Sequence, residues 1–447
     1  MTSEVAKLQG AGGAVDWVEA ALAGASKMQG ENPLLPEQVR QRIAEARTTW
    51  SKIHFPTSRI ESWKYTNPEP IARGVFSMPV QAAVDAEIHE VLASGSVQGL
   101  VGSTSLVFVD GAFSEKLSVV ATESGVEVSR LAEGKGPASR VASLEQHCDE
   151  AFAALATALV TDGVCISVKP GCASQLPVQV VHVMTSASQG SVVTPRIYVE
   201  AGDNSRVTVI ESHVAAVGVR YLSLPVVELV AGQGAFIDYY KVQVESEDAF
   251  HVAGITATQA KDSEVRTHLF EFGGALVRNN AQVMLKGSGA QAVLNGLSLL
   301  RNEQHVDNAT LIHHIEPHAE SREHFKGIYG GSSKGVFSGT ITVDKIAQKT
   351  NAFQSNQALL LSPNASIESR PQLKIWADDV KCTHGATVGQ LNADALFYLR
   401  SRGIGLQDAQ AFLVHAFASE VLSSVTSAQV KGHVEQLISQ KLTNILS

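Results

Sequence analysis

A mainly β core between helical ends is the fold class this sequence predicts, and three observations carry the prediction. Toward both ends of the chain, apolar residues recur at helical spacing. From about Gly163 to about Val388 that period disappears, and short Val, Ile, Leu and Phe runs alternate with Gly, Asn, Asp and Ser turns. Inside this tract a turn followed by alternating residues returns at intervals near thirty residues or multiples of it.

In chain order, Ala14 to Met28 is Ala-rich and reads as a helix. A second helix starts at Pro36, where a first turn tolerates proline, carries Val39, Ile43, Ala46 and Trp50 on one face, and is ended by Pro56. Leu106 to Val109 is a strand with a turn at Asp110-Gly111, and Leu144 to Val160 is helical with Phe152, Leu155 and Leu159 on one side. The repeat then begins. Its turns are Gly202-Asp203-Asn204, Gly232-Gln233-Gly234, Gly287-Ser288-Gly289, a start at 331, and Ser362-Pro363-Asn364. Units of this length favour stacked β-coils, each burying its apolar face against its neighbours, although a hairpin sandwich shares much of the pattern. Three helices finish the chain: Ala393 to Arg402, closed by Gly403; one carrying Leu406, Ala409, Phe412, Leu413, Ala416, Phe417 and Val421; and one carrying Val434, Leu437, Ile438, Leu442 and Ile445. They form a docking domain, cap the open end of the stack, or both. The resulting division is 1–160 (helical and mixed), 161–390 (β core) and 391–447 (helical).

Composition narrows the function. With 44% apolar and 18% charged residues over 447, the chain is an ordered globular protein. A net charge of -9 with no basic block disfavours nucleic acid or an anionic membrane as partner. No signal peptide is evident, and no run reaches the roughly 18 apolar residues that span a bilayer. Four cysteines without paired spacing suit a reducing cytoplasm.

Several residues carry possible chemistry. If extended, Cys382 and His384 project from one face as a thiolate and an imidazole, two ligands that cannot close a four-coordinate site alone. His314, Glu316 and His318 would align for zinc or iron on an extended backbone, but Pro317 argues for a bend and a lone histidine is usually just hydrogen-bonded. Gln348, Asn351, Gln354 and Asn356 read as stacked amides that satisfy turns. No phosphate loop and no GxSxG elbow occurs, so nucleotide hydrolysis belongs to a partner. An enzymatic alternative is a β-helix polysaccharide lyase or hydrolase using Asp378, Asp379, Arg370 and Lys374. Aromatic content of 6% and the lack of an export signal speak against it.

Read together, Ser321-Arg322-Glu323-His324-Phe325-Lys326-Gly327-Ile328, Gly335-Val336-Phe337-Ser338-Gly339, Ala347 to Asn351, Gln354 to Leu361, Asp378 to Thr387 and Leu396 to Gly403 resemble, in order, the core of the SufB/SufD iron–sulfur cluster assembly proteins. Pro56, Arg59, Glu61, Trp63, Lys64, Tyr65 and Thr66 resemble the opening motif of the SufD branch. SufB proteins typically carry Glu where this chain has Gly385, and a cluster-site cysteine one coil earlier, where residues 348–371 have none.

The resemblance implies a right-handed parallel β-helix between helical regions, and a non-catalytic scaffold. It implies pairing with SufB through the β-helix and docking of the SufC ATPase through the C-terminal helices. His384 matches a histidine implicated at the SufB–SufD interface, with Cys382 beside it. The implied cargo is a transient iron–sulfur cluster, or its iron, shared with SufB. The sequence leaves open whether the isolated chain forms a homodimer through the same surface.

Overall fold

A computed structural model describes residues 16–79, 84–134 and 150–445. Its organising device is a recurrent turn. Asn204, Gly234, Asp262, Gly289, His318 and Lys349 all have positive φ, and each lies two residues before a strand of one sheet. Gly, Asn and Asp adopt this left-handed conformation readily, whereas His318 and Lys349 hold it against a steric penalty. Using the same bend in six consecutive coils returns the chain in register one rung further on each time. The turns at Asp262, His318 and Lys349 lack the obvious glycine signal, so the sequence repeat shows only part of this series. Those at Gly331 and Ser362 serve the opposite sheet.

The result is a parallel β-solenoid of about eight turns, not a sandwich of hairpins. One sheet has ten strands: β1 (Thr104–Val109), β2 (Ala112–Phe113), β5 (Val178–Met184), β8 (Arg206–Ala215), β11 (Phe236–Val244), β13 (Glu264–Glu271), β15 (Gln291–Leu300), β17 (Glu320–Tyr329), β19 (Asn351–Leu360) and β22 (Lys381–Gly389). The second has twelve. Its first half is β3 (Val126–Arg130), β4 (Val164–Val168), β6 (Val192–Val193), β7 (Arg196–Ala201), β9 (Leu222–Ser223) and β10 (Val226–Ala231). The rest is β12 (Phe250–Gln259), β14 (Leu276–Leu285), β16 (His305–His314), β18 (Lys334–Val343), β20 (Ser366–Ser369) and β21 (Gln372–Ile375).

Because side chains alternate along a strand, parallel register stacks like positions into columns. Val207, Ile237, Val265 and Ala292 form one inward column, and Val199, Leu229, Ala257, Val283, Ile312 and Ile341 face it from the second sheet. At the start of the first sheet, Asp110 and Gly111, both with positive φ, make the tight antiparallel turn from β1 to β2 expected of that dipeptide.

Helices cover the outer faces. Over the second sheet pack α1 (Asp16–Glu31), α2 (Glu37–Ile53) and α5 (Glu150–Leu159), joined by Trp17, Trp50, Trp63 and Phe152 against Val226, Val252 and Leu276. Helix α2 buries Val39, Ile43, Ala46 and Trp50, as its periodicity predicts, with Pro36 just outside as N-cap. Positions 14–15 and 144–149 of the expected helices lie outside the described residues. The short α3 (Glu69–Ala72) follows, and α4 (Asp85–Gly95) packs on the early rungs of the first sheet.

At the other end come α6 (Ala393–Ser401), α7 (Leu406–Leu422) and α8 (Ala428–Ile445). Helices α7 and α8 lie along the outside of the first sheet. Val414, Ala418, Val421, Leu437 and Ile438 meet Tyr240, Phe270, Leu297 and Ile328 there. They do not cap the stack. The expected buried stripe of α7 is also rotated: Leu406 and Phe412 are 45% and 62% exposed, because the helix is apolar on more than one face and the sheet takes the one bearing Val414 and Ala418.

Candidate functional site

Cys382 and His384 sit on β22, the last strand of the first sheet, and the pairing with β19 sets Cys382 opposite Ala352 and His384 opposite Gln354. Both therefore belong to inward columns, but no rung follows. Among residues 381–389 only Cys382 is even half-buried, packed against the interior cluster. Burial pushes its thiol above the ordinary value, and the backbone of Ala352 opposes that shift. His384 is exposed on the terminal rung. The expectation that these two residues share a face is what the strand delivers, with the outer edge of β22 unpaired among the described residues.

Beneath His384 the inward column is polar. Gln354 Nε2 donates to Glu323 Oε2 at 2.6 Å, and both residues are fully buried. Burial pushes Glu323 up to about 7, opposed by Gln354 and Thr310. Gly339 makes the room: a Cβ there would lie 2.2 Å from Gln354 Nε2. Gln354 is thus an interior hydrogen-bond donor, not the turn amide expected of it. Gln348 does serve a turn, accepting from the Asp379 backbone N–H at 2.9 Å.

The other candidates disperse. β16 ends at His314, whose Nε2 lies 2.9 Å from Ser321 Oγ inside the solenoid, while His318 occupies the left-handed turn position. The trio His314, Glu316 and His318 therefore forms no common face, because the strand stops before its second member. His305 meets Thr66 and His313 meets Asp344. Two of the four residues of the lyase alternative are engaged elsewhere: Arg370 pairs with Glu61, and Asp379 with Lys349.

The opening motif has a mechanical role. Trp63 is buried with the Arg278 guanidinium 4.2 Å from its ring centroid, Arg278 pairs with Asp307, and Thr66 bonds the same aspartate. The motif thereby fastens the N-terminal helices to the second sheet.

Sequence reasoning missed one set altogether. His182, Glu211, His213, Glu245 and His251 converge inside the early coils. The available signal was Glu211 and His213, ionisable residues two apart that continue the alternation of the apolar Val207 and Val209. Among the described residues, no helix is long and apolar enough to cross a membrane.

Comparison with known proteins fits this architecture. The family model described as "SUF system FeS cluster assembly, SufBD core domain" matches residues 182–417, and "SufBD protein N-terminal region" matches 32–180. The chain is 31% identical to the iron–sulfur cluster assembly protein SufD of Escherichia coli K12, over 87% of this chain and 89% of that protein. It is 30% identical to a SufBD family protein of Synechocystis over 87% of each, and 27% identical to SufD of Bacillus subtilis 168 over 65% and 66%. With the N-terminal clamp and the solenoid inside the matched residues, the chain belongs to the SufBD family of iron–sulfur cluster assembly scaffolds, on its SufD side.

Proposed function

We propose that this chain is a non-catalytic cytoplasmic scaffold subunit that shares a transient iron–sulfur cluster, or the iron arriving to build it, with a SufB subunit across the open end of its solenoid. The observation that carries this reading is the inward-facing Cys382 and His384 on a terminal strand whose outer edge is unpaired among the described residues. Clusters take thiolates and sometimes imidazole, so this end offers part of a ligand shell and leaves the rest to a partner. An exposed strand edge is a ready template for another chain's strand. Apolar residues frame it: Trp376 is 57% exposed and Val388 55%. In isolation the same edge is available to a second copy.

The SufC ATPase docks, in this proposal, on the C-terminal helices. Support comes from α6, which has no buried residue, and from Phe397, Tyr398 and Phe412, which are exposed although α7 and α8 are held on the sheet. Removing 393–447 would strip Tyr240, Phe270 and Leu297 of their cover, so point changes make the cleaner test. Phe397→Asp with Phe412→Asp is expected to abolish SufC capture while SufB capture persists; retained SufC binding refutes the docking assignment. For the site, reconstitution with SufB and SufC is expected to give intact complex but less cluster with His384→Ala. Undiminished cluster yield overturns the role of His384.

A further inference from the structure

The early coils of the solenoid hold a second constellation, far from β22. His182 on β5, and Glu211 and His213 on β8, point inward from the first sheet; His251 points inward from β12; Glu245 follows β11. All five are buried. One ligand atom each from His182, Glu211 and His213 lies within 4.8 Å of the others, and the same holds for His213, Glu245 and His251. His213 is common to both groups. Six steps of the first sheet separate β8 from β22, roughly 30 Å at the usual strand spacing.

Three features distinguish this cluster from a satisfied polar core. First, imidazole nitrogens and carboxylate oxygens already face one another in pairs. His213 Nε2 is 2.9 Å and His182 Nε2 3.5 Å from Glu211 Oε1, His251 Nδ1 is 2.7 Å from Glu245 Oε2, and the buried His251 Nε2 has no hydrogen-bond partner among the described residues. Second, each carboxylate is oriented from behind. Tyr239 donates to Glu211 Oε2, leaving Oε1 toward the imidazoles; Tyr221 donates to Glu245 Oε1 at 2.8 Å, and Gln243 Nε2 to Oε2 at 2.8 Å, the oxygen that also faces His251. Tethering of this kind is how outer groups aim metal ligands. Third, the three buried carboxylates of Glu211, Glu245 and Glu271 act on one buried ammonium, Lys241, whose Nζ bonds Asn279 at 2.6 Å. A cation would balance the remainder.

We propose that His182, Glu211, His213, Glu245 and His251 form a binding site for one divalent first-row transition ion inside the solenoid, separate from the Cys382–His384 pair. Imidazole and carboxylate without thiolate suit iron(II), manganese(II), cobalt(II) or zinc(II). Each triad by itself offers three nitrogen and oxygen ligands, enough to hold one ion with positions left open, and His213 belongs to both. A cavity of about 600 Å³, lined by Phe108, Asp110 and Asp162, reaches the cluster at His182.

The test is anaerobic titration of the full chain, stripped with chelator, using cobalt(II) as an optical probe and metal analysis after desalting. The expected result is one equivalent bound with the spectrum of nitrogen and oxygen ligands, retained in the Cys382→Ala, His384→Ala double variant. His213→Gln is expected to weaken binding at least tenfold. Should that variant fail to fold, Tyr221→Phe removes the hydroxyl that aims Glu245 but no ligand; it is expected to weaken binding about 10–100-fold and alter the cobalt spectrum. No retained cobalt, a site lost with His384, or binding unchanged in every folded variant of this cluster overturns the proposal.

Discussion

Glu323 lies one rung below Gln354 and two below His384, and its surroundings set a measurable property. Burial raises its folded-state value to about 7, above the ordinary value near 4.5 of an unfolded chain. The folded state therefore binds the extra proton between those values. This contribution to stability is whole below about 4.5 and is lost as pH rises through about 7, by roughly 3 kcal/mol. Glu323→Gln is expected to flatten that part of the profile and to be the more stable protein at pH 8; urea unfolding at pH 5 and pH 8 measures the difference. Gly339→Ala should act on the same group from the other side. Its methyl would displace the Gln354 amide from Glu323 and cost about 1–3 kcal/mol, visible as a lower unfolding midpoint. Neither environment was legible in the sequence, where Gln354 looks like one of several turn amides. Only the register between β17, β19 and the facing β18 reveals that its side chain enters the interior.

At the scale of elements, helix α7 shows how far periodicity reaches. The spacing locates the helix correctly but assigns its buried stripe to a face that includes Leu406 and Phe412, both exposed. Two apolar faces on one helix give no local reason to prefer either; the sheet, by accepting Val414 and Ala418, makes the choice. The faces should separate experimentally. Leu437→Ala in α8, which opens a void against the sheet, is expected to cost about 2–5 kcal/mol. Phe412→Asp should stay within about 0.5 kcal/mol of the parent. Thermal or urea unfolding of the two variants measures both. The segment around Trp63 behaves differently: its role as a clamp depends on Arg278 and Asp307, more than two hundred residues away in sequence, so its motif was visible while its mechanics were not.

For the whole molecule, the decisive feature is an asymmetric stack, covered along its sides and open at one end. Val388→Lys on the exposed edge strand should leave the isolated chain's unfolding midpoint nearly unchanged while weakening strand-to-strand association, read by sedimentation for self-association and by co-purification for SufB. The sequence by itself determined the class of fold, the helical ends, the family and the shared face of Cys382 and His384. These depend on local alternation, turn chemistry and the order of short motifs, all written within a few residues. Tertiary structure alone decided which rung is last, which helix face remains bare, and that five residues between His182 and His251 converge inside the coils. Such features arise from register between strands some thirty residues apart and from closure of two sheets around one interior, where contact is set by geometry across the stack and not by neighbours along the chain.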